Sequence, residues 1–225
     1  MTAIDTEGVL ELVREVGADL CAAFWRRAPL VDMDAVWTAN DTLRCALAAQ
    51  YPPIAWADGQ LSEEYAQRGE YWIGDAIDGA VQFLRAIPQW CMSLTLMREG
   101  VPVFTVVYDA MHDELFHASW GHGAWYNGQP IRVSARQQQE LVATRNLGPT
   151  SLQLAYVACG RLDAFWQDGA DGYLSIGGTL LIQEAGGVAT QADGRPYRLT
   201  SPSIVAAPPV LHASMLQRLQ DRKAA

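Results

Sequence analysis

The sequence lacks a long hydrophobic run and an excess of basic residues. No stretch of about eighteen consecutive apolar residues is present, which is the length that a membrane-spanning helix needs. The N-terminus, M-T-A-I-D-T-E-G, is acidic, whereas a signal peptide begins with basic residues. Lys and Arg together number 16 against 25 Asp and Glu, so the formal charge is −9. Because nucleic acids and anionic membranes attract basic surfaces, we expect neither as a partner and predict a cytoplasmic protein.

Closely spaced cysteines are also absent. The four cysteines are Cys21, Cys45, Cys91 and Cys159, and no two of them form a C-x-x-C pair. Each lies in an apolar stretch, where a thiol packs as a small hydrophobic side chain, so we expect reduced and buried cysteines. His112, His117 and His122 are spaced by five residues and share no helix or strand face. We therefore do not expect them to bind zinc.

The chain does contain a large apolar fraction. Half of its 225 residues are hydrophobic, and it carries 8 Trp, which is enough for one large core or two closely packed halves. Hydrophobic periodicity predicts helices at residues 6–26, 41–50, 151–159, 172–185 and 211–222, the first able to use Thr6 as its cap. Apolar stretches predict strands at 71–73, 90–97, 101–108, 114–119, 162–166 and 204–207, with 90–108 forming a hairpin.

The composition changes near Val142, after the polar run of glutamines at 137–139. We expect an N-terminal α+β half, residues 1–140, and a C-terminal α/β half, residues 141–225, in one compact unit. No internal repeat is present.

One stretch, W-I-G-D-A-I-D-G-A-V-Q-F at residues 72–83, combines a buried strand, two carboxylates and the start of a helix. Asp75 falls at the carboxyl end of the predicted strand, where open α/β sheets place ligands. Asp78 is predicted to cap the helix that follows, so that the N–H groups of Gly79 and Ala80 can bind an anion. Two carboxylates beside a phosphate-sized pocket favour a hard divalent cation shared with a phosphate oxygen.

This stretch resembles the D-P-I/L-D-G-T/S signature of the inositol monophosphatase family of magnesium-dependent, lithium-sensitive phosphatases. Ala76 stands where the family has Pro, and Ala80 stands where it has Thr or Ser. Further resemblances are G-x-G-A-x-x-N-G-x-x-I-x-V-S at 121–134, an altered R-x-x-G-S/T-A segment at 145–150, and E-A-G-G at 184–187. Together they cover residues 34–208.

The resemblance implies a layered α/β/α/β/α sandwich of the inositol monophosphatase and fructose-bisphosphatase type. It also implies magnesium-dependent hydrolysis of a small phosphate monoester, such as an inositol, sugar or nucleotide phosphate. A homodimer is expected.

The resemblance also implies a ligand set for magnesium, which consists of Asp75, the carbonyl of Ile77, Asp78 and an upstream acid. Counting from the helix stop at Tyr51 selects Asp58 as that acid, whereas matching the letters L-S-E-E selects Glu63 or Glu64. Both alternatives stay open.

Substrate contacts are implied at Thr150 and Gln167, the latter standing where the family has a Glu that contacts the polyol. Asp41, in T-A-N-D at 38–41, is a candidate for an outer position.

Three departures from the family bear on activity. The family has an Asp ten residues before the Glu of E-A-G-G, as a ligand of the second metal, and Leu174 stands there in this chain. Asp171 is nearby but would have to reach from the preceding turn. With Ala80 and Gln167 also substituted, we expect weak hydrolysis with one magnesium ion only. The alternatives are a catalytically inactive pseudo-phosphatase that binds a phosphorylated ligand or a protein partner, and a structural subunit.

Overall fold

The computed structural model describes residues 2–26, 33–57, 68–135, 144, 146–169 and 171–224. Its helices are α1 (Thr6–Trp25), α2 (Met33–Gln50), α3 (Ala80–Leu84), α4 (Thr150–Ala158), α5 (Gly172–Glu184) and α6 (Pro209–Ala224). Its strands are β1 (Ala55–Trp56), β2 (Glu70–Asp78), β3 (Cys91–Arg98), β4 (Val101–Asp109), β5 (Glu114–Ser119), β6 (Ala124–Tyr126), β7 (Gln129–Pro130), β8 (Phe165–Asp168), β9 (Val188–Thr190) and β10 (Ser203–Ala207).

The first two helices pack together on one side of the molecule. The predicted cap of α1 is wrong, because Asp5 occupies the cap position and its Oδ1 accepts the Gly8 N–H at 3.2 Å. Helix α2 begins at Met33, eight residues before the predicted start at 41, and ends as predicted before Tyr51. The Tyr51 hydroxyl accepts the backbone N–H of Asp5 at 2.9 Å, which ties the end of α2 to the start of α1.

Strands β1 to β7 form one sheet in sequence order, antiparallel except for the parallel pair β1 and β2. The predicted hairpin is confirmed as β3 and β4, joined by Glu99 and Gly100. Both turn residues have positive φ, 49° and 76°, as a two-residue type I′ turn requires. The predicted strand 71–73 extends further, over Glu70–Asp78, and its pairing with β3 is irregular between Asp75 and Asp78.

A smaller antiparallel sheet has the order β8, β10, β9. Its first strand begins at Phe165, later than the predicted residue 162, because residues 160–162 form the turn that ends α4. Gly160 has φ of 77° there, as expected of a glycine that closes a helix.

The elements stack in five layers, and this confirms the predicted α/β/α/β/α sandwich. Helices α1 and α2 cover one face of the large sheet, with Leu43 and Trp72 in their shared core. Helices α4 and α5 lie between the two sheets, where Phe116 of the large sheet and Leu181 of α5 share a second core. Helix α6 covers the outer face of the small sheet.

The cysteines are free among the described residues, but they are not all buried as predicted. Cys91 is fully buried, whereas Cys45 is exposed, because it lies on the solvent side of α2. His112 and His122 are exposed and His117 is half-buried. In the ranges that the structure describes, no helix has the length and apolar character needed to cross a membrane.

Candidate functional site

The candidate site lies where β2 ends, against the first turns of α3, α4 and α5. Asp75 pairs with Ser93 of β3, and Asp78 pairs with Cys91. The irregular stretch between these pairs places both acids at the same end of β2. The Oδ1 atom of Asp75 accepts the N–H of Ile77 at 2.9 Å, and this bond fixes the turn of the backbone between the two acids.

Asp78 does not cap α3, and that prediction is wrong. The cap position is Gly79, which provides no side chain for capping. Instead the Oδ2 atom of Asp78 accepts the N–H of Ser151 at 2.7 Å, in the first turn of α4. The Cys91 thiol lies 3.9 Å from the same oxygen. The buried carboxylate therefore faces the positive end of α4, a helix that begins at Thr150 in a distant part of the chain.

Gly79 is required by the local geometry. Its φ is 98°, and a Cβ atom there would lie 3.0 Å from the Pro149 side chain and 3.1 Å from the Gln89 carbonyl. Ala80 begins the five-residue helix α3. The first N–H groups of a helix have no partner within it, so those after Gly79 are available to an anion.

The two predicted substrate residues lie together. The Thr150 hydroxyl is 3.4 Å from the Gln167 Oε1 atom. Thr150 is in the first turn of α4, next to the residue that binds Asp78. Asp171 is the cap residue of α5, but its side chain makes no capping hydrogen bond.

The carboxylates of the site carry uncompensated negative charge. Burial raises the pKa of Asp78 to about 6. Hydrogen bonds from the start of α4 oppose this rise, and the nearby charge of Asp75 adds to it. Burial also raises the pKa of Asp75, with the Ile77 N–H opposing and the Asp171 charge adding. Burial raises the pKa of Asp171. A divalent cation would lower all of these pKa values.

The described residues supply part of a ligand set for one hard cation. Asp75, the Ile77 carbonyl and Asp78 supply the oxygen donors that Mg²⁺ prefers. Within the described ranges, however, no three His, Cys, Asp or Glu side chains are grouped closely enough to hold a metal by themselves. The upstream acid that would complete the set was predicted at Asp58, Glu63 or Glu64, and all three lie outside the described residues.

Leu174 lies in the first turn of α5, next to the site. Its backbone carbonyl accepts the Ser151 hydroxyl at 2.8 Å, so Ser151 joins the start of α5 to Asp78. Sequence reasoning missed Ser151, because nothing in its local pattern marks a residue that bridges two distant segments. The side chain at 174 offers no oxygen to a cation.

A second missed residue is Asn40. Its Oδ1 atom accepts the N–H of Ala76 at 3.1 Å, between the two acids of the site. The outer candidate Asp41 instead pairs with Arg44 at 2.9 Å on the exposed face of α2. The T-A-N-D segment therefore does reach the site, but through Asn40 and not through the predicted Asp41. Residues three or four apart share a helix face, whereas neighbours such as 40 and 41 do not.

Glu184, from the E-A-G-G motif, joins the end of α5 to the turn between β5 and β6. Its two carboxylate oxygens accept the N–H groups of Gly121 and Gly123, each at 2.9 Å. Both glycines have positive φ, 75° and 80°, so the turn between β5 and β6 presents its N–H groups to the end of α5. The two segments that looked like separate motifs in the sequence thus meet in space.

Comparison with known proteins gives a consistent result. The model of the "Inositol monophosphatase family" matches residues 33–145 and 136–224 of this chain. The chain is similar to an inositol-1-monophosphatase of Mesorhizobium japonicum, with 33% identity over 71% of this chain and 73% of that protein. It is also similar to the Nus factor SuhB of Pseudomonas aeruginosa, with 32% identity over 81% of this chain and 80% of that protein.

Among solved structures, the fold is similar to the extragenic suppressor protein suhB of Bartonella henselae. The TM-score is 0.85 at 27% identity, over 94% of this chain and 97% of that one.

Proposed function

The chain belongs to the inositol monophosphatase family, and from this premise we propose that it hydrolyses a small phosphate monoester with the help of Mg²⁺. The substrate class is an inositol, sugar or nucleotide phosphate. We further propose weak turnover, and a cytoplasmic homodimer as the working form. Light scattering on the purified protein tests the oligomeric state.

One observation carries the proposal. The buried carboxylate of Asp78 and the partly buried carboxylate of Asp75 lie at the end of β2, beside the first N–H groups of α3. Burial raises the pKa of both acids, so this edge disfavours negative charge unless a cation is present. An acidic edge next to an anion-binding turn suits a cation and a phosphate group bound side by side.

Each residue has a stated role in this proposal. Asp75, Asp78 and the Ile77 carbonyl hold the cation, with an acid from 58–64 as the further ligand. The cation, when bound, supplies charge stabilisation at the phosphate and lowers the pKa of water. The N–H groups that follow Gly79 orient the phosphate, and the Thr150 and Gln167 side chains contact the rest of the substrate.

Asn40 holds the backbone N–H of Ala76 and so keeps the two acids in position.

The proposed weakness follows from the substituted positions. A two-metal mechanism stabilises both the attacking and the leaving oxygen, and Leu174 cannot contribute a ligand to a second ion. Ala80 offers no hydroxyl to orient water. We therefore propose that one ion acts, and that turnover is far below the roughly 10 per second typical of enzymes.

A non-catalytic role is the second candidate, because specific observations favour it. The side chain at position 174 carries no oxygen ligand, and one similar protein is named as the Nus factor SuhB. In this alternative the same pocket binds a phosphorylated ligand, or the fold binds a protein partner, without turnover.

The discriminating experiment measures phosphate release from a panel of inositol, sugar and nucleotide phosphates with and without Mg²⁺. Slow release that requires Mg²⁺ and disappears in Asp75→Asn supports hydrolysis. Calorimetric binding of a panel member in Mg²⁺ that is lost in Asp75→Asn, without release of phosphate, supports the second candidate. Release that is unchanged in chelator, or in Asp75→Asn, would contradict the proposed site.

A further inference from the structure

A cavity of about 490 Å³ lies outside the candidate site, beside the hairpin that follows β9. Its walls come from residues 191–202, and none of the residues assigned above lines it. This volume is in the range of small-molecule sites, roughly 300–1,000 Å³. Its charged lining residues are Arg195 and Arg198, and no Asp or Glu lines it among the described residues.

The base of the cavity is fixed by hydrogen bonds between buried polar residues. The buried Gln191 donates from its side chain to the Pro196 carbonyl at 3.1 Å, and its backbone N–H donates to the Arg195 carbonyl at 2.9 Å. The buried Ser201 hydroxyl accepts the Arg198 N–H at 2.8 Å, and the Ser201 N–H donates back to the Arg198 carbonyl at 2.9 Å. These bonds fix the shape of the loop before a ligand binds. Binding therefore costs little conformational entropy.

The two arginines differ in their partners. Arg195 pairs with Asp193 at 2.6 Å, and both side chains are largely exposed, so this pair contributes little to stability. Arg198 forms no ion pair with any residue in the described part of the chain. In a chain with a formal charge of −9, the two lining arginines against the single paired acid Asp193 make this surface a local reversal of charge. A guanidinium presents parallel N–H donors that match phosphate oxygens.

We propose that this cavity is a second anion site, which binds the phosphate group of a small phosphorylated metabolite. Arg198 is the principal ligand, Arg195 is the second cationic group, and the exposed Thr200 hydroxyl at the rim is a further donor. A phosphate is favoured over a carboxylate because its oxygens can accept from both guanidinium groups and the hydroxyl together. This site does not depend on the proposed hydrolysis.

The cavity loop also touches the segment that precedes α5. The Gly169 N–H donates to the Pro202 carbonyl at 2.8 Å. The Leu199 carbonyl packs so closely on Gly172 that a Cβ atom there would lie 1.8 Å from it. Occupancy of the cavity is therefore expected to slow hydrogen exchange of the Gly169 amide, which reports on the loop directly.

The test is calorimetric titration of the full chain with inorganic phosphate and with glucose 6-phosphate, in chelator and at matched ionic strength. We expect wild type and Asp75→Asn to bind alike, because the candidate metal site takes no part. Arg198→Gln should weaken binding by about tenfold to a hundredfold, the loss of charge-assisted hydrogen bonds. Arg195→Gln should have a smaller effect, because its guanidinium already pairs with Asp193. The matched control is Arg44→Gln, which removes a surface arginine elsewhere and should bind as wild type does.

Tighter binding of glucose 6-phosphate than of inorganic phosphate, together with slower Gly169 exchange, supports a metabolite site. Binding that survives in Arg198→Gln, with folding verified by circular dichroism, overturns the assignment to this cavity. Absence of binding to wild type also overturns it. Binding of inorganic phosphate but not of glucose 6-phosphate overturns the assignment of the ligand as a phosphorylated metabolite. This experiment does not measure hydrolysis, so its result neither supports nor contradicts the proposed function.

Discussion

The carboxylate of Asp78 accepts the backbone N–H of Ser151 at 2.7 Å, across 73 positions of sequence. This bond joins the acidic end of β2 to the start of α4, and the Ser151 hydroxyl continues the connection to Leu174 at the start of α5. The candidate site is therefore assembled from both parts of the chain. Its ionisation, metal binding and repair by mutation can be predicted from this arrangement.

The first prediction concerns pH. The pKa of Asp78 rises from its ordinary value of 3.8 to about 6 in the folded protein, mainly because it is buried. The folded state therefore binds a proton more tightly than the unfolded state, so this group stabilises the fold at low pH. In chelator, the free energy of unfolding should fall between about pH 4 and pH 6, by at most about 3 kcal/mol from this group, and level off above.

Denaturant unfolding at a series of pH values measures this component, as the difference between wild type and Asp78→Asn. The difference is needed because burial also raises the pKa of Asp75 and Asp171 in the same direction. Curves that remain parallel across this pH range would show that Asp78 is not the titrating group.

The second prediction is that Asp75→Asn abolishes the binding of Mg²⁺ and Mn²⁺. The amide keeps the shape of the side chain and can still accept the Ile77 N–H, but it removes the charge that a cation requires. Stability in chelator should be unchanged or slightly higher, since a partly buried charge is lost. Calorimetric titration compares the variant with Asp41→Asn, an exposed acid on α2 that should bind metal as wild type does. Equal binding by Asp75→Asn and wild type would remove Asp75 from the metal site.

The third prediction is a restoration. Leu174→Asp combined with Ala80→Thr should raise the phosphatase rate by more than the product of the two single effects, because the new carboxylate and the new hydroxyl serve the same step. In chelator the double variant should be less stable than wild type, since the added carboxylate is a partly buried charge, and Mg²⁺ should restore its melting temperature.

The matched control for the restoration is Leu174→Asn, which has nearly the same shape as the Asp variant but no charge. It should gain neither rate nor metal-dependent stability. If Leu174→Asp behaves as the Asn variant does, position 174 does not face the metal, and the correspondence of Leu174 with the family's Asp is wrong.

The fourth prediction concerns an ion pair away from the site. Arg161 donates to both carboxylate oxygens of Glu114, at 2.6 and 2.7 Å, and its guanidinium lies 5.0 Å from the Tyr126 ring and 5.1 Å from the Tyr156 ring. Lysine has neither the planar fork nor the stacking surface. Arg161→Lys should therefore destabilise the fold by about 1–2 kcal/mol.

Thermal and denaturant unfolding test this loss. Arg195→Lys is the control, because Arg195 pairs with Asp193 on the exposed surface and its replacement should have no measurable effect. Equal unfolding curves for Arg161→Lys and wild type would mean that the paired guanidinium contributes no more than a surface ion pair.

Much of the secondary structure could be predicted from local patterns. The β3 and β4 hairpin, α4 with its closing Gly160, and α5 before Gly186 all follow from apolar periodicity and from glycines with positive φ. The start of α2 was missed by eight residues. Its first turns bury Val36 and Ala39 in the core shared with α1 and β2, and this packing stabilises them.

The sequence by itself determined the family and the order of the elements, and it singled out Asp75 and Asp78 as candidates, because these depend on residues close together in the chain. Only the tertiary structure decided what those acids contact. Asp78 faces the α4 start instead of capping α3, and Asn40, instead of Asp41, holds the strand between the acids. The physical reason is that a buried carboxylate takes the nearest N–H groups in space. Packing of the layers, which no local pattern encodes, brings those groups from distant parts of the chain.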